Sequence, residues 1–231
     1  MPLLFTRYLP AVHRQPPLFG VWHIVEEEEF FRQHLHLTTA EEADLARYKG
    51  LRRREWLAVR YLLHLLTGNG DRWTLDKDAF AKPFFSDKNG LYCSLSHSKG
   101  LVGALLADTP AGCDLQVLTD KMPQLASRFL HEEETDFVRT FATDIQLELQ
   151  HIFWTAKESL YKAYGLKALD FRQHLRIEPF DWSGGNGETT GWVCKQLPFQ
   201  SYQLYFEKPT PRPAIPSFVW AVGLQTQPPA H

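Results

Sequence analysis

The sequence predicts an α+β protein built from two similar lobes. In each half of the chain helical segments are followed by strands, which is the order expected of α+β units. A break at Pro110 separates the halves, so the predicted lobes are residues 1–111 and 112–231. The similar order and length of the halves suggest a pseudo-two-fold relation, and a ligand is expected in the cleft between lobes.

The first half contains a strand, two helices and two further strands. A short strand is predicted at 21–25, and the acidic residues at 26–29 are a solvated face or a helix start. The run TTAEE at 38–42 is a capping-box pattern for a helix to Tyr48. Apolar residues recur at helical spacing over 52–66, and Gly68-Asn69-Gly70 ends that helix. Strands are expected at 91–95 and 101–106, around a turn at 97–100.

The second half opens at Gly112 and is first helical, then extended. Helices are predicted at 122–130, 132–142 and 145–164, and strands near 174–178, 190–196, 201–207 and 217–224. The segment 183–187 is a glycine-rich hairpin loop, and 209–216 is an irregular, proline-rich connector.

Composition narrows the class of protein. Apolar residues make up 44% and charged residues 23% of the chain, and the formal net charge is −2. No overall field therefore attracts nucleic acid or a membrane surface, and any basic site must be local. The cysteines Cys93, Cys113 and Cys194 form no CxxC pair, which suits a reducing compartment. No secretory signal or membrane-spanning run is present, and the expected location is the cytoplasm.

Two acidic residues and two lysines carry the most specific chemical signal. Asp114 and Glu158 are predicted to share a divalent metal, and Lys157 and Lys162 to hold a phosphate. On a helix, Glu158 and Lys162 project from one face, while Lys157 lies about 100° away around the axis. The ordinary alternatives are a surface ion pair for Glu158 and Lys162, and a turn or cap for Asp114.

Further hydrogen-bond donors lie in the first half without adding negative charge. They are suited to a polyphosphate ligand, and they are Arg52, Arg53, Lys82, Ser96 and His97. The alternatives here are a solvated helix start for the arginines and a turn residue for His97.

Taken in order, these segments resemble a 4′-phosphopantetheinyl transferase of the Sfp type. The resemblance covers roughly residues 20 to 180. Its segments are the helix with Arg60-Tyr61-Leu62-Leu63, then Lys82-Pro83, SLSHS at 94–98, GCD at 112–114, RFLHEEE at 128–134 and FWTAKESLYK at 153–162. Each motif alone is weak, but their common order makes coincidence improbable. The resemblance implies the two-lobed α+β fold of that family.

The resemblance also implies a reaction and a set of roles. Coenzyme A would bind between the lobes with Mg²⁺, or alternatively Mn²⁺, on its pyrophosphate. A serine of an apo acyl or peptidyl carrier protein would accept the phosphopantetheine arm, and 3′,5′-ADP would leave. Asp114 and Glu158 would hold the metal, and Lys162 the phosphates. Ser96 and His97 would also contact phosphates, while Lys82 and a member of the pair Arg52 and Arg53 would meet the nucleotide end.

The sequence departs from the family pattern at three places. Gln116 stands where family members often have a third acidic ligand, so it would bind the metal weakly, directly or through water. Cys113 occupies a place usually filled by valine or isoleucine. The segment around Glu41 and Asp44 is acidic where basic residues are expected, which leaves the arginines at 52–54 as the expected compensation.

Two other functions stay open from the sequence. A carrier-binding module that has lost catalytic strength through Gln116 is one, and a metal-dependent nuclease using Asp114 and Glu158 is the other. The nuclease is disfavoured because its usual pattern places acid-x-Lys after the aspartate, and no nucleic acid or membrane partner is expected. Since one chain supplies both lobes, a monomer is expected.

Overall fold

The computed structural model describes residues 3–68 and 70–226, so Asn69 of the predicted helix end lies outside the described residues. The helices are α1 (Glu28–Leu35), α2 (Thr39–Leu45), α3 (Gly50–Leu66), α4 (Met122–Phe129), α5 (Glu132–Arg139), α6 (Thr143–Tyr164) and α7 (Phe171–His174). The strands are β1 (Leu3–Tyr8), β2 (Leu18–His23), β3 (Leu75–Lys77), β4 (Pro83–Phe85), β5 (Tyr92–Ser98), β6 (Leu101–Ala107), β7 (Ala111–Val117), β8 (Leu175–Ile177), β9 (Asn186–Val193), β10 (Gln200–Glu207) and β11 (Phe218–Gln225).

The strands form two main sheets and a short hairpin. The first sheet has the order β1-β2-β6-β5, the second sheet has the order β7-β11-β10-β9-β8, and β3 pairs with β4. All of these neighbours are antiparallel. The predicted α+β class is therefore confirmed.

A long helix covers one face of each sheet. In α3 the residues Trp56, Val59 and Leu62 are buried, as their helical spacing predicts, and they pack with Val102 and Ala104 of β6. In α6 the buried stripe includes Leu149, Ile152, Phe153 and Leu160, which pack on β10 and β11. Burial of these stripes fixes the rotation of both helices about their axes.

The opposite faces of the two sheets pack against each other. Phe19 and Leu105 of the first sheet share a core with Leu115, Trp220 and Val222 of the second. Strands β6 and β11 are thus covered on both faces, which explains their nearly continuous apolar sequences, LVGALLA and FVWAVGLQ.

Most predicted elements are present, with shifted ends. The capping box at Thr38 is confirmed. The acidic residues Glu28 and Glu29 lie in the first turn of α1, where their negative charges interact favourably with the helix dipole. The predicted turn at 97–100 is wrong in extent, because β5 continues through Ser98. Strands β1, β3, β4 and β7 were not predicted, and β7 places a strand before the helices of the second half.

Candidate active site

Serine hydroxyls join the two sheets at the edge strands β5 and β7. The hydroxyl oxygens of Ser94, Ser96 and Ser98 accept hydrogen bonds of 2.9, 3.1 and 3.1 Å from backbone N–H groups of β7. The donors, in the same order, are Cys113, Leu115 and Val117. Side chains thus replace backbone pairing between these strands. This serine ladder explains why the polar SLSHS run is strand rather than turn, and it places the end of β5 beside Asp114.

Asp114 is held by two donors at one oxygen. Its Oδ1 accepts hydrogen bonds from the hydroxyl of Ser96 at 2.6 Å and from Nζ of Lys162 at 2.8 Å. Lys162 also donates to the carbonyls of Cys113 and Leu95, at 3.0 and 3.3 Å. Burial lowers the pKa of Lys162, but the charge and hydrogen bond of Asp114, together with Cys113 and Glu158, raise it by more, so the net shift is upward. Lys162 is therefore an ammonium paired with Asp114.

Glu158 lies one helical turn before Lys162 and lines the same cavity as Asp114. Burial and the neighbouring charge of Asp114 together raise the pKa of Glu158 to about 7, and Lys162 offsets only part of this shift. In a cavity, a carboxyl group whose pKa is raised by burial and by repulsion from a neighbouring carboxylate is typical of a functional site. A bound cation would relieve that repulsion.

Gly112 allows β7 and α6 to approach each other closely. A Cβ atom at this position would lie 2.1 Å from the carbonyl oxygen of Ser159 and 2.6 Å from the backbone nitrogen of Ala163. The backbones of β7 and α6 therefore touch here, and a glycine is the residue that permits it. This contact connects the GCD motif of Asp114 to the helix that carries Glu158.

Replacing Gly112 with alanine is expected to destabilise the protein by about 1–3 kcal/mol and to weaken any activity that needs both carboxylates. The physical reason is that backbone atoms, rather than a flexible side chain, must move to admit the methyl group. Chemical denaturation measures the first effect. Gly70→Ala is the control, since nothing lies within 4 Å of a Cβ there. Equal stability of the two variants would contradict the proposed close contact.

The cavity has a volume of about 530 Å³ and is lined by residues from both halves of the chain. It lies among α3, the β3–β4 hairpin, β5, β7 and α6. Of the residues predicted for the site, the lining includes Arg52, Lys82, Ser96, His97, Asp114, Gln116, Glu158 and Lys162. The structure therefore brings together side chains that are far apart in the sequence.

Glu55 organises the donors on the α3 side, and sequence reasoning missed it. Its Oε2 lies 3.2 Å from Nδ1 of His97 and 3.6 Å from the guanidinium of Arg52, and its Oε1 accepts the N–H of Gly100 at 3.0 Å. Burial raises the pKa of Glu55, but the interactions of its carboxylate with His97 and with the N–H of Gly100 lower that pKa by more, so the net shift is downward. The available signal was a glutamate three residues after Arg52.

Arg60 is a second lining residue that was not assigned to the site. Its guanidinium carbon lies 3.4 Å from the ring centre of Trp56, and burial lowers its pKa to about 10. Among the described residues, its buried Nε has no hydrogen-bond partner. The sequence feature that could have identified Arg60 is a basic residue one helical turn after Trp56, on the apolar stripe of α3.

Lys82 joins the hairpin to the second half of the chain. Its Nζ donates to the carbonyl oxygen of Ala163, at 2.7 Å, near the C-terminal end of α6. Burial lowers the pKa of Lys82. If Lys82 contacts a phosphate, its ammonium must bind that phosphate and the carbonyl oxygen of Ala163 at the same time.

Two predicted coenzyme A contacts are corrected. Lys157 is fully buried, and its ammonium contacts Glu134 at 2.6 Å and the carbonyl oxygens of Phe129, Leu175 and Phe171 at 2.7, 2.9 and 3.0 Å. It therefore faces the interior rather than the cavity. Arg53 donates to both oxygens of Glu28 and to the carbonyl of Leu45, and it is not among the residues that line the cavity.

The predicted phosphate contact of Ser96 is also corrected. A serine hydroxyl has one proton, and that of Ser96 is donated to Asp114. While this bond is present, Ser96 has no proton to donate to a phosphate.

The donor set of the cavity suits a hard divalent cation. Asp114 and Glu158 offer carboxylate oxygens, and Gln116 offers an amide oxygen. The amide nitrogen Nε2 of Gln116 donates a hydrogen bond to the carbonyl oxygen of Val117 at 3.1 Å. Residues 3–68 and 70–226 contain no group of three His, Cys, Asp or Glu side chains that could hold a metal ion. Mg²⁺ commonly takes one or two carboxylates and completes its shell with substrate oxygens and water. The residues present therefore fit Mg²⁺ with a phosphate ligand rather than a closed protein site.

The fold and the cavity thus define an α+β protein with a two-carboxylate, lysine-containing site between two sheets. Residues 110–216 match the family model described as the 4′-phosphopantetheinyl transferase superfamily, which confirms the resemblance predicted from the sequence. The matched segment contains Asp114, Glu158 and Lys162. This segment, which is just under half of the chain, is therefore similar to the 4′-phosphopantetheinyl transferase superfamily.

Curated relatives indicate the same class. The chain is 28% identical over 111 residues to 4′-phosphopantetheinyl transferase gsp of Aneurinibacillus migulanus, covering 48% of this chain and 46% of that protein. It is 31% identical over 120 residues to 4′-phosphopantetheinyl transferase AcpT of Salmonella typhi, covering 51% and 62%. For AcpT of Escherichia coli O157:H7 the identity is 32% over 121 residues, covering 51% and 60%. The match spans about half to three-fifths of the relatives' length.

One finding bears on membranes. Within residues 3–68 and 70–226, no helix combines the length and the apolar character required to cross a bilayer.

Proposed function

We propose that this protein transfers the 4′-phosphopantetheine arm of coenzyme A to a serine of an apo acyl or peptidyl carrier protein. The observation that supports this most directly is the placement of Asp114, Glu158 and Lys162 around one cavity, inside the segment that matches the superfamily. Two carboxylates and an ammonium are the groups that a metal-bound pyrophosphate requires.

The proposed reaction forms one P–O bond and breaks another. The serine oxygen of the carrier attacks the β-phosphorus of coenzyme A, and the bond from that phosphorus to the bridging oxygen breaks. The phosphopantetheine arm is then on the carrier, and 3′,5′-ADP leaves with the bonding electrons. Phosphoryl transfer of this kind needs positioning and charge neutralisation rather than a covalent enzyme intermediate.

The residues of the cavity have separate tasks in this proposal. Glu158 accepts the proton of the carrier serine as a general base. Lys162 neutralises charge on the pyrophosphate oxygens and on Asp114. Asp114 and Glu158, with Gln116 directly or through water, would hold Mg²⁺ or Mn²⁺, which would supply positive charge to the pyrophosphate.

The α3 side of the cavity is proposed to hold the nucleotide end. His97 and Arg52 line the cavity, and both lie against Glu55, which orients them. A His97 ring protonated on both nitrogens would donate to Glu55 and to a phosphate at the same time. Lys82 contacts the nucleotide end only if its ammonium also keeps the hydrogen bond to the carbonyl oxygen of Ala163, or if that hydrogen bond breaks.

Several broader expectations belong to the same proposal. The lobes are residues 1–111 and 112–231, related by a pseudo-two-fold axis, with the cavity between them. Because one chain lines the whole cavity, a monomer is sufficient. The three free cysteines suit the cytoplasm.

The experiment is a mass measurement on carrier proteins. The purified protein is incubated with coenzyme A, Mg²⁺ and each of several apo carriers, and the expected result is a phosphopantetheine-sized mass gain. A carrier with its acceptor serine replaced by alanine, and a reaction containing EDTA, are the controls, and both should show no gain. Binding of the carriers without any mass gain would favour the weakened carrier-binding module, for which Gln116 in place of an acid is the supporting observation.

A further inference from the structure

Ser96 stands apart from the other two members of the serine ladder. The hydroxyls of Ser94, Ser96 and Ser98 all accept a backbone N–H from β7, and all three residues are buried. Ser96 in addition donates its proton to Oδ1 of Asp114, at 2.6 Å. This hydrogen bond is short and charge-assisted, because its acceptor is a carboxylate.

The carboxylate of Asp114 is consequently held in an asymmetric way. All the hydrogen bonds that the described residues make to it end on Oδ1, from Ser96 and from Lys162. Rotating the carboxylate to exchange its oxygens would break both bonds. Oδ2 is thereby left as the oxygen that a ligand in the cavity can use.

We propose that Ser96 is a positioning residue: together with Lys162 it occupies Oδ1 of Asp114 and so presents Oδ2 to a divalent cation. This inference rests on the proposed function for the identity of the cation. It differs from a phosphate-binding role, because Ser96 then acts only through Asp114. Partners that orient a metal-binding carboxylate commonly change metal affinity by roughly 10- to 100-fold when they are removed.

The serine ladder supplies its own matched controls. Ser98→Ala and Ser94→Ala remove a hydroxyl that accepts a β7 N–H, and Ser96→Ala removes the same interaction together with the bond to Asp114. A purely structural role predicts three similar variants. A positioning role predicts that only Ser96→Ala weakens cation binding strongly.

The experiment titrates Mn²⁺ into each purified protein without coenzyme A or carrier, and measures free Mn²⁺ by electron paramagnetic resonance. Ser96→Ala is expected to weaken Mn²⁺ binding by roughly 10- to 100-fold, and the two controls by less than about 3-fold. Thermal melts are run on all three variants. If Ser96→Ala does not fold, Ser96→Cys keeps the side-chain volume with a much weaker donor, and the same order of loss is expected.

A second readout separates positioning from phosphate binding. In the transfer assay, Ser96→Ala should lower kcat and leave the KM for coenzyme A within about 3-fold, whereas a lost phosphate contact raises that KM. Equal Mn²⁺ affinities of the three alanine variants would overturn the inference. So would an absence of Mn²⁺ binding by the unmodified protein, whereas the mass gain on carriers decides the proposed function independently.

Discussion

Replacing Glu158 with glutamine is expected to slow phosphopantetheine transfer by on the order of 100-fold or more, and to make the metal-free protein more stable at neutral pH. Glutamine keeps the size of the side chain but neither accepts the serine proton nor carries charge. The rate is measured by following the mass gain of an apo carrier. A variant with near-normal turnover would remove Glu158 from the proposed role of base.

The stability gain follows from the pKa of Glu158. Burial and Asp114 raise that pKa from 4.5 to about 7, so the folded protein holds the proton more tightly than the unfolded chain does. The stability from this proton is fully present below pH 4.5 and is lost as the pH rises to about 7. A shift of this size corresponds to at most about 3 kcal/mol.

The measurement is a series of thermal melts in EDTA between pH 4.5 and 8. Glu158→Gln should match the unmodified protein at the acidic end and exceed it increasingly toward pH 7. Asp144→Asn is the control, because Asp144 is an exposed acid of the same helix and is not among the cavity-lining residues. Parallel pH profiles for Glu158→Gln and the unmodified protein would contradict the raised pKa.

Replacing Asp114 with asparagine is expected to reduce transfer by on the order of 1000-fold, since it removes the proposed metal ligand and the partner of Lys162 together. It should also destabilise the protein by on the order of 3 kcal/mol, because the mostly buried ammonium of Lys162 is left with the carbonyls of Cys113 and Leu95. Chemical denaturation measures this loss.

The double variant Asp114→Asn with Lys162→Met separates the two effects. Removing the ammonium along with its carboxylate should recover much of the stability while transfer stays absent. If the double variant is no more stable than Asp114→Asn alone, the ion pair is not the source of the loss. Normal transfer by either variant would refute the assignment of Asp114.

Much of the site was predictable because its chemistry is encoded in residue types and their spacing. The motif at 153–162 places Glu158 and Lys162 on one face of a helix whatever surrounds it, and α6 confirms that helix. The apolar stripe of α3 likewise predicted which face of that helix is buried. The close approach of β7 to α6 at Gly112 was not predicted, because it depends on how a distant helix packs.

Other assignments failed because chemically equal side chains had different neighbours. Lys157 and Lys162 are both lysines of one helix, yet one ammonium is enclosed by Glu134 and three carbonyls while the other meets Asp114 at the cavity. Arg53 had the donors for a phosphate, but Glu28 occupies them.

Local periodicity and residue type were therefore enough to predict the α+β class, the long helices and the acidic, basic and hydroxyl groups available for chemistry. Which of those groups contact each other depends on how the whole chain folds. The proton of Ser96 goes to Asp114, and Glu55 lies beside Arg52 and His97, because sheet packing brings together residues distant along the chain. A hydrogen-bond donor serves the partner nearest to it, and only the folded chain defines that partner.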